Sequence, residues 1–221
     1  MRSPSSDVCV ICGLAKACSR DHVPPRCIFP KPWPSDFVTV PACGSCNMQS
    51  SGLDERFKVF LGLTVGFHLD GDRSYREPVL RTLGRNHKLR SDIQKDMQRV
   101  VLRDSVSFDS QSAIAIQLDQ VAHDAVVERT VRGLYFHHTG NILGNRCQLT
   151  ARWCRVLTDE LFSDTNGWNT GTIGDPALVY KYAINPTDLG MTGWVLQFFQ
   201  KTWSVVLSTP KPVDIDPEQQ S

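Results

Sequence analysis

Near the start of this 221-residue chain stand two C-x-x-C pairs, Cys9-Val-Ile-Cys12 and Cys43-Gly-Ser-Cys46, with 30 residues between Cys12 and Cys43. Each pair can turn two sulfurs toward one ion, and together they supply the donors of a tetrahedral four-thiolate zinc site. Between them lies Ser19-Arg-Asp21-His22-Val-Pro-Pro25, and Asn47 follows the second pair directly. So short a segment, rich in Pro and polar residues, has little core of its own, so a bound metal would supply its folding energy. Four thiolates close the coordination sphere and leave no position for water or substrate. Any chemistry therefore falls to the side chains held by the knuckles: Asp21, His22 and Asn47. Histidine, with an ordinary pKa of about 6.5, can act as a base at physiological pH. A carboxylate such as Asp21 suits a hard divalent cation.

On these residues the first third of the chain resembles the HNH endonuclease family, in the version where a treble-clef zinc site braces a ββα-metal motif. The resemblance rests on Cys9, Cys12, the Asp21-His22-Val-Pro-Pro segment, Cys43 and the Cys46-Asn47 pair followed by a helix. It implies a DNA endonuclease with structural Zn²⁺, His22 as general base and a catalytic Mg²⁺ or Mn²⁺ on Asp21 and the scissile phosphate. It also implies that Asn47 either hydrogen-bonds the loop that orients His22 or joins the metal's coordination shell. The family's last histidine, about eight residues after Asn47, is absent, since Met48 to Glu55 contains none. Helical phase places Asp54 at the edge of the apolar stripe and two turns after Asn47, with Glu55 nearly opposite. Asp54 is therefore the expected second ligand of the catalytic cation, with Glu55 in reserve. The alternative reading is a non-catalytic treble-clef zinc module that binds nucleic acid or protein.

The elements that must position these residues can be read from periodicity. Phe37-Val-Thr-Val40 reads as a strand returning to the second knuckle, and Gly13 permits the turn after Cys12. Leu53, Phe57, Phe60 and Leu61 form one stripe on a helix capped by Ser50 or Ser51. Helices are expected over Glu77–Leu89 and Ser91–Arg103, the second carrying Ile93, Met97, Val100 and Val101 as its stripe. Ala113–Leu118 alternates as a strand. A helix over Asp119–His137 has Val121, Ala125, Val131, Leu134 and Tyr135 as core and ends at Gly140. Strands follow within 143–156, over Ala177–Ala183 and over Trp194–Ser208, the last as a hairpin.

The chain is thus expected to be α+β: a zinc-stabilised nuclease-like domain (1–66), a basic helical connector (67–110), an α+β domain of unassigned role (111–208) and a disordered tail (209–221). Cys18 and Cys27 fall outside the metal pairs and read as small buried residues. His137 and His138, adjacent on a helix and so about 100° apart, read as structural. Trp153, Trp168, Trp194 and Trp203 read as core aromatics.

Net charge is +1, from 24 Lys and Arg against 23 Asp and Glu, but it is unevenly spread. Between Arg81 and Arg103 seven basic residues face two acidic ones, whereas from Gln111 onward eight basic residues face eleven acidic ones. Arg20 and Arg26 beside the motif, and Arg81, Arg85 and Lys88 after it, are the expected DNA contacts. No apolar run reaches the roughly 18 residues of a membrane span. The start of the chain lacks the apolar segment of a secretory signal. Cysteines at metal spacing fit a reducing cytoplasm.

Overall fold

The stretch after the first knuckle folds as an antiparallel hairpin of β1 (Ser19–Val23) and β2 (Val38–Ala42), with Asp21 opposite Val40 and His22 opposite Thr39. A short helix α1 (Gly44–Met48) and the longer α2 (Ser51–Gly66) follow at once. The computed structural model describes residues 6–66, 73–103, 110–154, 157 and 164–211. Most of the expected tail falls outside the described residues.

Helices α3 (Arg73–Arg85) and α4 (His87–Asp96) come next. Asn86 caps α4: its side-chain oxygen accepts the Leu89 N–H at 3.0 Å. The helix expected over Ser91–Arg103 instead ends at Asp96. The backbone turns extended at Met97 (φ −70°, ψ 124°), and Gln98–Arg103 becomes β3. It pairs with β4 (Ser110–Ala115), Val100 lying opposite Ala113. The Val100-Val101-Leu102 run suits a pleated strand better than a fourth helical turn.

Helix α5 (Gln120–Thr139) is the centre of the molecule. Asp119 Oδ1 caps it by accepting the Ala122 N–H at 3.1 Å, and Gly140 ends it in the left-handed conformation. Buried residues lie nearly all round it, which is the pattern of a helix enclosed by neighbours. It packs on α2, β1, β2 and the strands β5 and β9 of the main sheet. Val131, Leu134 and Tyr135 are core as expected, whereas Val121 lies on the exposed side of the first turn.

The main sheet is antiparallel, ordered β5-β9-β8-β7-β6, from β5 (Cys147–Cys154), β6 (Asn169–Ile173), β7 (Leu178–Ile184), β8 (Thr192–Phe198) and β9 (Thr202–Pro210). The chain is α+β, as expected. The expected hairpin is β8–β9, while β6 was not foreseen, since Asn169-Thr-Gly-Thr has no apolar alternation. Of the four tryptophans expected in the core only Trp194 is fully enclosed; Trp153, Trp168 and Trp203 are half-buried.

One hydrophobic core joins the motif to the sheet. It includes Val10, Val23, Val40, Phe57 and Leu61 from the first third together with Val126, Leu134, Trp194 and Phe198. The excursion between β1 and β2 also docks on the sheet, where Asp36 accepts the Gly174 N–H at 2.9–3.0 Å. The motif is therefore braced by packing as well as by its cysteines.

Candidate functional site

The four thiols of Cys9, Cys12, Cys43 and Cys46 converge, with all sulfurs within 4.8 Å of one another. Gly13 makes the first knuckle possible: φ is +70°, its N–H reaches the Cys9 carbonyl at 2.8 Å, and its Cα faces Gly144 too closely for any side chain. The Val10 N–H bonds the Pro41 carbonyl at 2.9 Å, which locks the two knuckles in register. The Ser45 hydroxyl, 3.1 Å from Cys43 Sγ, holds that thiol down to about 6. Burial, followed by the neighbouring sulfurs, pushes Cys46 far up. Four thiols at one point resist losing all their protons, and a divalent cation relieves that resistance. The donor set fits a metal ion such as zinc.

Cys18 and Cys27 are exposed and stand apart from this cluster, which corrects the buried position expected for them. Cys18 precedes β1 and contributes mainly its backbone N–H, bonded to Ala42 at 3.0 Å. Cys27 lies in the 3-10 turn Arg26–Ile28 and opens toward a cleft shared with Asp54, Glu55 and Lys58.

Alternation along β1 sends Asp21 and His22 to opposite faces. His22 faces outward with Arg20 and is half-buried against the edge of Phe37 (centroids 5.4 Å apart, planes at 85°). Neither of its ring nitrogens is hydrogen-bonded among the described residues. Burial, then the nearby Arg26 charge, hold its pKa below the ordinary value, so the imidazole is neutral at physiological pH. Asn47 lies on α1 and its amide donates to Ser19 Oγ at 3.1 Å and to the Arg20 carbonyl at 3.3 Å. Of the two roles considered for Asn47, these contacts are those of a clamp on the strand that carries His22. Ser50, expected as a cap, donates back to the Asn47 carbonyl at 2.9 Å.

Asp21 turns inward and is buried, and Asp54 reaches it from the first turn of α2. Asp54, rather than Glu55, is thus the α2 carboxylate that shares a partner with Asp21. Glu55 points away and accepts from Asn86 Nδ2 at 2.8 Å. Between the two aspartates lies Arg129 of α5. Its Nε is 3.3 Å from Asp21 Oδ2, an ion pair without hydrogen-bond geometry, and its Nη2 donates to Asp54 Oδ1. All three side chains are nearly closed to solvent, at 5% for Arg129, 10% for Asp21 and 14% for Asp54. Burial raises both carboxyl pKa values, with Arg129 opposing the rise.

Arg129 is the residue that reading the sequence missed, although a signal was present. Val126, Arg129, Thr130 and Gly133 fall at the i, i+3, i+4, i+7 positions of one helical stripe. A lone Arg on a buried stripe requires a buried anion opposite it.

Of the expected DNA contacts, Arg20 and Arg26 are exposed beside His22. Arg20 is braced on Thr39 (Nη2 to the carbonyl, 2.6 Å), and Arg26 covers the Trp33 ring at 4.0 Å, where Lys31 also sits at 4.6 Å. Arg81, Arg85 and Lys88 are exposed on α3 and α4, away from β1 in sequence and linked to the motif through α2. His137 and His138 meet edge to face. His138 also stacks on Tyr182 (4.5 Å) and shares a 2.9 Å hydrogen bond with the Tyr180 hydroxyl. No helix among the described residues is long and apolar enough to cross a membrane.

No family model matches this chain, and neither a curated protein nor a solved structure matches it.

Proposed function

We propose that this chain is an HNH-type endonuclease that hydrolyses phosphodiester bonds in DNA, with structural Zn²⁺ on Cys9, Cys12, Cys43 and Cys46. The observation that carries this reading is His22. It is neutral, half-buried, free of hydrogen-bond partners among the described residues, and fixed on a strand that the cysteine knuckles and Asn47 hold in place. Such an imidazole can take a proton from an attacking water, a contribution on the order of 10²–10⁴-fold. Arg20 and Arg26, exposed on the same side, supply positive charge for the phosphate backbone. A reducing cytoplasm would keep the thiols available to the metal.

The resemblance also calls for a catalytic Mg²⁺ or Mn²⁺ on Asp21 and Asp54. As they stand, these carboxylates do not fit that role. Both are nearly closed to solvent and both are committed to Arg129, whereas a hard divalent ion retains several waters and must meet the substrate phosphate. The same observation favours a second reading, a zinc module that binds nucleic acid without turnover.

Nicking of supercoiled plasmid by the zinc-loaded protein, in Mg²⁺, Mn²⁺ or EDTA, separates the two. Cleavage that falls by about 10²-fold or more in His22→Ala, with DNA affinity and zinc content kept, supports the endonuclease. Retarded DNA without cleavage in every condition supports the binding module. Cleavage unchanged by His22→Ala removes the imidazole from the mechanism.

A further inference from the structure

We infer that Arg129 is the resident cation of the Asp21–Asp54 pair, occupying with a guanidinium the position where the resemblance places a divalent ion. A hairpin strand, the first turn of α2 and the middle of α5 each send one charged side chain to a single point. The planar guanidinium meets one carboxylate through Nε and the other through Nη2, a two-anion geometry suited to its rigid fork of donors. Two carboxylates and one guanidinium leave a single net negative charge. An ion within 2.0–2.6 Å of both carboxylates would lie against the guanidinium and lose most of its water.

Arg129 cannot readily swing aside to admit such an ion. Its side chain is 5% exposed and its neighbours on the stripe, Val126 and Thr130, are fully buried. One turn further along, Gly133 meets Val23 of β1 with no room for even a methyl group. The register of α5 against β1 is thereby fixed, and with it the approach of Arg129 to Asp21. The arrangement also ties α5 to both halves of the motif, so Arg129 is a positioning residue for the strand that carries His22.

The test uses the full-length zinc-loaded protein and Mn²⁺ alone, with free Mn²⁺ followed by its electron paramagnetic resonance signal. No DNA is involved, so the outcome is separate from that of the nicking assay. Wild type is expected to leave Mn²⁺ free up to about 1 mM, the weak end of oxygen-ligand affinities. Arg129→Gln uncovers the two carboxylates and should bind one Mn²⁺ at least about 10-fold more tightly. That gain should disappear in Arg129→Gln combined with Asp54→Asn. A Mn²⁺ site in wild type that is lost in Asp54→Asn overturns the inference, whether or not Arg129→Gln folds. Folded Arg129→Gln that takes up no Mn²⁺ overturns it as well.

Discussion

Gly133→Ala should destabilise this protein, although helix propensity alone argues the opposite. Alanine is favoured over glycine in a helix interior by about 1 kcal/mol. Against this, a Cβ at Gly133 would lie 2.4, 2.7 and 2.8 Å from Cγ2, Cγ1 and Cβ of Val23. Val23 is fully buried, and its branched side chain has few rotamers to escape into, so α5 or β1 must move by close to 1 Å. Overpacking of a rigid core costs about 1–3 kcal/mol, and three contacts this short place the cost at the upper end. The expected net loss is then about 2 kcal/mol. For a chain of this size that lowers the melting temperature by roughly 4–8 °C. Urea or thermal unfolding of the zinc-loaded protein measures it. Val23→Ala removes the two nearest atoms, so the double variant should be more stable than the two single losses predict, by about 1–2 kcal/mol. A Gly133→Ala variant as stable as wild type would refute the close approach of α5 to β1, and with it the fixed register of Arg129.

Two further outcomes test the metal site and the histidines His123 and His138. Cys43→Ser should cut zinc content measured by elemental analysis and open the first third of the chain to limited proteolysis, because the metal's binding energy is folding energy there. An intact fragment pattern without zinc would show that core packing alone holds the hairpin. Below neutrality, stability should fall with pH. Burial lowers His138 to about 4, its neighbour His137 adding to the shift, and burial also lowers His123 despite its bond to Asp124. Between about 6.5 and 4 the unfolded chain binds more protons than the native state, so stability rises with pH across that window. His138→Phe, which retains the stack on Tyr182, should flatten the acid side of a pH–stability curve; an unchanged curve would assign the loss elsewhere.

The sequence determined what depends on short separations along the chain. Two residues between paired cysteines set the knuckles, and α5 is bounded by the side-chain cap of Asp119 and the left-handed backbone of Gly140. The apolar stripe of Leu53, Phe57, Phe60 and Leu61 set the phase of α2 that separates Asp54 from Glu55, whereas the break between α1 and α2 removes the two-turn relation to Asn47. Local preference also misled where two periods overlapped, as at Val100 and Val101, which satisfy a helix but pair as part of a strand with Ser110–Ala115. Cys18 and Cys27 showed the same limit, since small apolar character does not say which side of a turn faces solvent. Only the tertiary structure decided which cation neutralises the two aspartates. Arg129 lies 75 residues beyond Asp54, and nothing near either carboxylate in the sequence specifies it. Its place follows from the burial of α5 around most of its circumference, which leaves a charged side chain on the buried stripe stable only where the fold has already gathered opposite charge.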